Sequence, residues 1–597
     1  MTPGNPIGGP AAWKQPAMRR RDTLKLLTAG AVLGLAPRLS RAATADDIYD
    51  IPLAGAARIL HITDTHAQVH PTYFREPSAN IGIGASRGRP PHLVGEAFLG
   101  HFGIPPGGSR AYATSFLDFE EAAHRYGPTG GFAHIKTLLD RLRAQAGPGR
   151  TLTLDGGDTW QGSALANLTQ GAALVELANM LGVDAMSGHW EFAYGADQLR
   201  KNVAAFKGAF IAQNVFLTDE AAFNGAEAAD PASGRVFPSH VMHELGGVRV
   251  AVIGQAFPYI PIAHPQRFVP DWTFGIRAAE LQALVTDLRA AQHADAVVLL
   301  SHNGMDVDLK LASIVSGIDI VLGGHTHDPV PTPSRVANGG GVTLVANGGC
   351  AGKFIGVLDL AAAAGRVTRL EYRLVPVFAN LLPPDPAVAA RIAALRAPHA
   401  AMLDEKLTIA SETLFRRGNF NGTMDDVLCD ALLAETGADI ALSPGFRWGP
   451  TFLAGHEVTM EDLLSHTAIS YPDVYVQELT GGDLQGLLED VCDNLFNPDP
   501  FRQQGGDMAR LGGVTYTCVP GNPMGSRITG LTLRDGSPVD PARTYRMASW
   551  ASTSLPPGDK PVWDMVARHL RAAKPTAAKT NSVTVKGVQD NPGYVLT

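Results

Sequence analysis

The chain has 597 residues, 45% hydrophobic and 18% charged, which is too long for one core and has the composition of a soluble globular protein. Its formal net charge is −8 and it has no basic run beyond the N-terminus, so the electrostatic footprint of a nucleic-acid-binding protein is missing. No apolar run is long enough to span a bilayer, and membrane integration is not expected.

Residues 1–42 read as a targeting segment. Arg19-Arg20-Arg21-Asp22-Thr23-Leu24-Lys25 has the form of a twin-arginine export signal, followed by an apolar stretch from Leu26 to Leu35 and a cleavage site near Ser40-Arg41-Ala42. The segment holds seven of the 49 basic residues and one of the 57 acidic ones, so the remainder carries 42 against 56, a formal −14. Twin-arginine export moves folded proteins, which suits an enzyme that takes up metal before release. The expected destination is the periplasm.

From Arg58 to about Leu374, strand-like and helix-like segments alternate, which predicts an α/β layered domain. Five polar motifs each follow a strand-like run. Ile59–Ile62 precedes Asp64-Thr65-His66, Thr151–Leu154 precedes Gly156-Gly157-Asp158, and Val183–Met186 precedes Gly188-His189-Trp190-Glu191-Phe192. Ala296–Leu300 precedes Ser301-His302-Asn303, and Ile318–Leu322 precedes Gly324-His325-Thr326-His327. Ligand-type side chains at the carboxyl ends of several strands converge on one sheet edge. Helices are predicted over 131–143 and 277–290, and a further strand over 248–254. Between His66 and Gly131 lies a Gly/Pro-rich excursion, about 70–128, whose aromatic and charged residues favour a folded, site-lining insertion.

Leu381-Leu382-Pro383-Pro384-Asp385-Pro386 and an Ala-rich helix over 388–401 read as an interdomain connector, 381–405. A second α/β region, 406–597, follows, with helix candidates at 424–435, 460–464 and 483–494 and strands at 440–442, 474–479 and 528–533. The four cysteines, Cys350, Cys429, Cys492 and Cys518, contain no C-x-x-C and fix no pairing.

A hydrolytic two-metal site needs oxygen and imidazole ligands with one carboxylate between the ions. Asp64 and His66, two apart, can reach one ion, joined by His327. Asp158, preceded by two glycines, is the natural bridge, and His302 and His325 serve the second ion. Asp64 and Asp158 would hold the metal-bound hydroxide that attacks. With no thiolate in the set, manganese, iron or zinc is favoured over copper(I).

In this order, and followed by a second domain, the five motifs resemble the calcineurin-like metallophosphoesterases of the 5'-nucleotidase type. The resemblance implies an N-terminal four-layer α/β/β/α sandwich, 43–380, and a smaller C-terminal α/β 5'-nucleotidase-type domain, 406–597. In that family the third motif is usually Gly-Asn-His-Glu, with the His a catalytic acid and an Asp three residues on. Here His189 stands at the metal-ligand position, while Trp190 and Ala193 replace the acid pair. Loss of a general acid, which contributes typically 10²–10⁴-fold, points to a leaving group that is already a stable anion, such as a thiolate or persulfide.

The third motif and the insertion also resemble the SoxB branch of the family, the sulfate thiohydrolases of bacterial sulfur oxidation. Matching stretches are Tyr73-Phe74-Arg75-Glu76-Pro77, Pro90-Pro91-His92-Leu93-Val94-Gly95, Gly130-Gly131-Phe132-Ala133-His134, Gly254-Gln255-Ala256-Phe257-Pro258 and residues 493–500. The resemblance implies a monomer with two manganese ions, zinc or iron being alternatives, that hydrolyses a cysteine S-thiosulfonate on the swinging arm of the carrier SoxYZ and releases sulfate. The alternative is a periplasmic 5'-nucleotidase or cyclic-nucleotide phosphodiesterase. Candidate substrate contacts are Arg416, Arg417, Arg447, Trp190 and Phe496, and Gly505-Gly506 and Gly512-Gly513 are candidate walls of a narrow groove.

Overall fold

Runs such as Ala296-Val297-Val298-Leu299-Leu300, with no polar alternation, suit strands covered on both faces. In the computed structural model, which describes residues 44–572 and 583–596, that strand lies inside a two-sheet sandwich. The twin-arginine segment, 1–42, lies outside the described residues.

The first sheet runs Arg366–Pro376, Phe354–Ala363, Ala57–Ile62, Thr151–Asp155, Ala185–Met186, Ala209–Phe210. The second runs Ser334–Asn338, Gly341–Asn347, Ile320–Gly323, Ala296–Ser301, Val248–Gln255, His240–Leu245. The period of two assigns each strand's faces. Val250, Val252, Val298 and Leu300 meet Ile59, Leu152, Leu154 and Leu358 between the sheets. Their neighbours Ala251, Ile253, Val297 and Leu299 turn outward to Leu281, Val285 and Leu288 of helix Ala278–Ala290 and Leu311 of helix Met305–Ile314. Helices also cover the first sheet, with Phe132–Ala146 beside Ala57–Ile62, so the order is α/β/β/α. The third-motif strand is shorter than predicted, with only Ala185–Met186 paired.

The connector helix starts two residues early, at Pro386, where Asp385 caps it and Pro occupies the first turn. It ends at Arg396 rather than Ala401, because Pro398 cannot continue it and Ala397–His399 forms a 3₁₀ turn. Helix Met460–Thr467 and helix Gly481–Phe496 are both opened by capping boxes, Thr459 with Asp462 and Thr480 with Asp483. Helix Val562–Ala572, which the sequence pattern did not single out, packs on helix Thr423–Thr436. All four cysteines are buried and none is in a disulfide, with Cys492 Sγ 3.6 Å from Cys518 Sγ.

The insertion is folded, with helices Gly95–Phe102, Ser109–Thr114 and Phe119–Tyr126 and its own apolar cluster of Leu93, Phe98, Leu99, Ile104 and Ala111. It bridges both domains: Tyr73 pairs with Thr451, and Ile81 N–H donates to Asn419 Oδ1. The C-terminal tail stitches it down through Asn80 N to Gly593 O and Val595 N to Ser78 O.

One polar pair is fully enclosed in the sandwich. Arg58 Nε and Nη2 donate to Asp359 Oδ1 and Oδ2 at 2.7 and 2.8 Å, and neither side chain is exposed. Asp359→Asn strands the guanidinium and is expected to cost about 3–5 kcal/mol, read as a lower urea midpoint. Replacing both partners with apolar residues of similar volume is expected to recover most of that loss.

Candidate metal centre

The five motif loops leave neighbouring strand ends and turn sharply there. Thirteen described non-glycine residues have a left-handed φ, and Asp64, His66, Asp158, His325 and His327 are five of them. Such conformations persist only where surrounding bonds hold them. Here Asp64 N–H donates to Gly157 O and His66 N–H to Asp158 O, both at 2.8 Å, which locks the first two loops together. Gly324 is required by packing, since a Cβ there would collide with Thr63 Oγ1 and Asp64 Oδ2.

Seven side chains gather in two buried groups: Asp64, His66, Asp158 and His327, and His189, His302 and His325. Asp158 Oδ2 sits between them, 3.1 Å from His302 Nε2, 3.2 Å from His189 Nδ1 and 3.5 Å from His66 Nε2. His327 Nε2 lies 3.3 Å from Asp64 Oδ1. His66 Nε2 and His327 Nε2 face each other at 3.1 Å, and their Nδ1 atoms have no partner. Burial lowers the His66 pKa to about 4 and, helped by Arg417 and Arg447, holds His327 well below its usual value. Two neutral imidazoles whose Nε2 lone pairs point at one place repel each other, and a cation between them would accept both. The nitrogen and oxygen donors fit a borderline divalent ion.

The local field is set by the central carboxylate. Burial alone would raise the Asp158 pKa, but His189 and His302 hold it well below the usual range. Burial would likewise lower His302, yet Asp158 and Asp64 raise it to about 10. Glu191 binds no group of the cavity and works on the backbone instead. Its carboxylate accepts N–H bonds from His189 and Asp158 at 2.9 and 3.2 Å and from Thr159 and Trp160 at 2.9 and 3.1 Å, tying the second motif to the third.

A cavity of about 160 Å³ opens beside these groups. Trp190 forms one wall, T-shaped to Trp448 at 4.7 Å and to His264 at 4.6 Å, while its N–H donates to Asp158 Oδ1 at 2.7 Å. Phe446 stacks on Trp448 at 4.2 Å, and Trp448 on His66 at 5.2 Å. Phe257 closes over His189 and His325, 4.1 and 4.3 Å between ring centres. Gln504, Gly505 and Gly506 complete the rim, with Gln504 O 3.2 Å from His325 Nε2. A Cβ on Gly505 would strike that imidazole.

The structure sorts the remaining candidates. Arg447 lines the cavity, its Nη2 donating to Gly506 O at 2.6 Å. Arg417 lies behind it, donating to Thr326 O at 2.9 Å, with Nε and Nη1 making no hydrogen bond. Arg416 is not brought to the cavity. Its guanidinium is consumed inside the C-terminal domain by Asp425 Oδ1, His466 O and Pro444 O. Phe496, 1% exposed, packs in the C-terminal core against Phe420 at 6.3 Å and lines an adjoining cavity that also touches His325 and Arg447 rather than this one. Gly512 packs under Cys429 and Gly513 against Asp439, away from the cavity. Sequence reasoning missed Phe257, Phe446, Trp448, Gln504 and Glu191. Phe446 and Trp448 flank Arg447, and Phe257 follows a strand end as the ligands do, so both signals were present.

The profile of the 5'-nucleotidase C-terminal domain matches residues 408–567. The sulfate thiohydrolase SoxB of Thermus thermophilus superposes with a TM-score of 0.83 at 35% identity, covering 90% of this chain and 98% of that one. The chain belongs to the 5'-nucleotidase family of metal-dependent hydrolases. A 5'-nucleotidase precursor of Thermus thermophilus shares the fold at TM-score 0.69 and 20% identity, over 89% of this chain and 99% of that one. The protein UshA of Escherichia coli is 24% identical over 476 residues, 70% of this chain and 80% of the relative. Within this 5'-nucleotidase-family frame, a buried His/Asp centre able to hold metal lies at the strand ends, and the insertion reaches its flank. There His92 Nε2 pairs with Asp306 Oδ2 at 2.9 Å.

Two outcomes follow from this geometry. Glu191→Gln turns one acceptor into a donor that opposes two backbone N–H groups, and it is expected to weaken metal binding about 10–100-fold. Calorimetric titration of the metal-stripped protein with manganese measures this, with circular dichroism checking the fold. For His92, burial lowers the pKa but Asp306 outweighs it, so the folded value is raised. The stabilisation is therefore full below the unfolded value of about 6.5 and is lost as pH rises through the higher folded value. Proteolysis within 70–128 is expected to quicken over that rise, and Asp306→Asn to flatten the profile.

Proposed function

We propose that the protein is an exported sulfate thiohydrolase that cleaves a cysteine S-thiosulfonate carried on a partner protein of the SoxYZ type. One observation carries the reading: among the described residues of the cavity wall, every titratable side chain belongs to a metal group except Arg447, and the third-motif acid is replaced by Trp190. No imidazole or carboxyl is free to protonate a leaving group there. Ala193, at the second position of the lost pair, is 1% exposed and packed in the core.

The chemistry needs no such acid. The sulfur–sulfur bond to the sulfonate breaks, its electron pair stays on the carrier sulfur as a persulfide anion, the water oxygen joins the sulfonate sulfur, and both water protons leave. Asp64, His66, Asp158 and His327 would hold one ion, and His189, His302 and His325 the other. Two divalent ions held there, manganese in this reading with zinc or iron as alternatives, would supply Lewis acidity and lower the pKa of an attacking water. Arg447, held by Asp507 Oδ1, Thr326 O and Gly506 O, keeps a second N–H on each terminal nitrogen for the sulfonate oxygens, and Arg417 adds positive charge behind it. Trp190, Trp448 and Phe257 exclude bulk water and strengthen these interactions.

Size supports the same reading. The cavity's 160 Å³ is below the roughly 300–1,000 Å³ of sites that enclose drug-sized ligands. Phe446 and Trp448 stack on each other, leaving no slot between them for a base. A tetrahedral anion on a thin tail fits these dimensions. The 35% identity to a sulfate thiohydrolase, against 24% to UshA, agrees. The twin-arginine segment supports a periplasmic place of work, and among the described residues no helix is long and apolar enough to cross a membrane.

The test is sulfate release from a thiosulfonated-cysteine carrier beside phosphate release from AMP, using manganese-loaded protein. Sulfate without phosphate is expected, and phosphate without sulfate would replace this reading with a nucleotidase. Trp190→His, which returns an imidazole to the wall, is expected to raise AMP hydrolysis above the parent.

A further inference from the structure

Away from the metal cavity, a groove of about 670 Å³ runs between the insertion and strand Ser334–Asn338. Three observations there are unexplained by hydrolysis. Strand Ser334–Asn338 ends its sheet, pairing with Gly341–Asn347 on one side only. Arg335 on that strand and Arg89 on the insertion line the groove, both exposed, and neither side chain makes an ion pair or hydrogen bond among the described residues. Between them Pro90, Phe102, Leu309 and Val336 form an apolar strip, flanked by His101, Thr332 and Ser334.

A charge on an open strand edge is ordinarily protection against aggregation, which would account for Arg335 alone. It does not account for Arg89, contributed by a different segment to the same groove. Nor does it account for an apolar strip within the volume of a ligand site. Two uncompensated arginines are conspicuous on a chain whose charge beyond residue 42 is −14. We propose that this groove docks an extended acidic segment of a partner protein, added as a further strand beside Ser334–Asn338. Main-chain hydrogen bonds along the open edge give the affinity, and acidic side chains at alternate positions meet Arg89 and Arg335. The placement has a consequence for the active site. The groove's own segments continue into Pro91, His92, Asp306 and Val307, which wall a cavity reaching His325. A partner held in the groove is thereby held beside the metal centre.

The inference stands apart from the substrate reading, because it is tested by binding. The full chain is titrated against three fluorescein-labelled octapeptides: alternating Glu and Val, alternating Lys and Val, and the Glu–Val sequence N-methylated at alternate residues. The acidic peptide is expected to bind at least tenfold tighter than the other two, with affinity falling as salt rises. The double variant Arg89→Glu, Arg335→Glu is expected to lose that preference while retaining manganese binding by calorimetry and its far-ultraviolet spectrum. Absence of binding, equal binding of the acidic and basic peptides, equal binding of the N-methylated one, or a preference that survives the charge reversal would each overturn the proposal.

Discussion

Two carboxylates and five imidazoles share one buried pocket, and most of the fold answers to the electrostatics of that crowding. The centre is Asp158 Oδ2, within 3.5 Å of three imidazole nitrogens. Bringing so many donors to one point requires loops that reverse immediately after their strands, hence left-handed backbone at five ligand positions. Each such residue costs of order 1–3 kcal/mol, so the loops must be held by one another. Glu191 and the bonds from Asp64 and His66 to the second motif perform that task. The strain and the clamp are two sides of one requirement.

The sandwich provides the rigid base. Its central strands are covered on both faces, with one set of residues locking sheet to sheet and the other seating helices. The Arg58–Asp359 pair adds a directional constraint inside a core that would otherwise be held by non-directional packing. The C-terminal domain then closes the site with a few residues, Phe446 to Trp448 and Gln504 to Gly506. Close approach there depends on glycine at 505, beneath which His325 lies.

Chemistry is narrowed by what the cavity wall omits as much as by what it holds. Trp190 fills with an apolar face the place where an acid would stand, and its backbone N–H still donates to Asp158. In the proposed reaction, a site that met developing anionic charge with arginine yet offered no proton would discriminate by leaving group. The insertion, anchored to both domains and to the C-terminal tail, forms a flank of this centre that a minimal hydrolase would lack.

The sequence by itself determined the layered α/β class and the seven ligand-type residues, because strand periodicity and polar residues just past strand ends are local signals. Asp64, His66, Asp158, His302, His325 and His327 could be named from pattern, and His189 from the resemblance of the third motif. What only the tertiary structure decided is which arginine and which aromatic face the cavity. Arg416 and Arg417 are adjacent in the chain, yet one is spent on Asp425 and two carbonyls while its neighbour points at Thr326 beside the ligands. Phe496 sits in a core, and Phe446, Trp448 and Phe257 line the site. An aromatic or an arginine carries the same local signal in a core, in a salt bridge or in a cleft. The choice among these is made by packing between segments hundreds of residues apart, which no window of sequence contains.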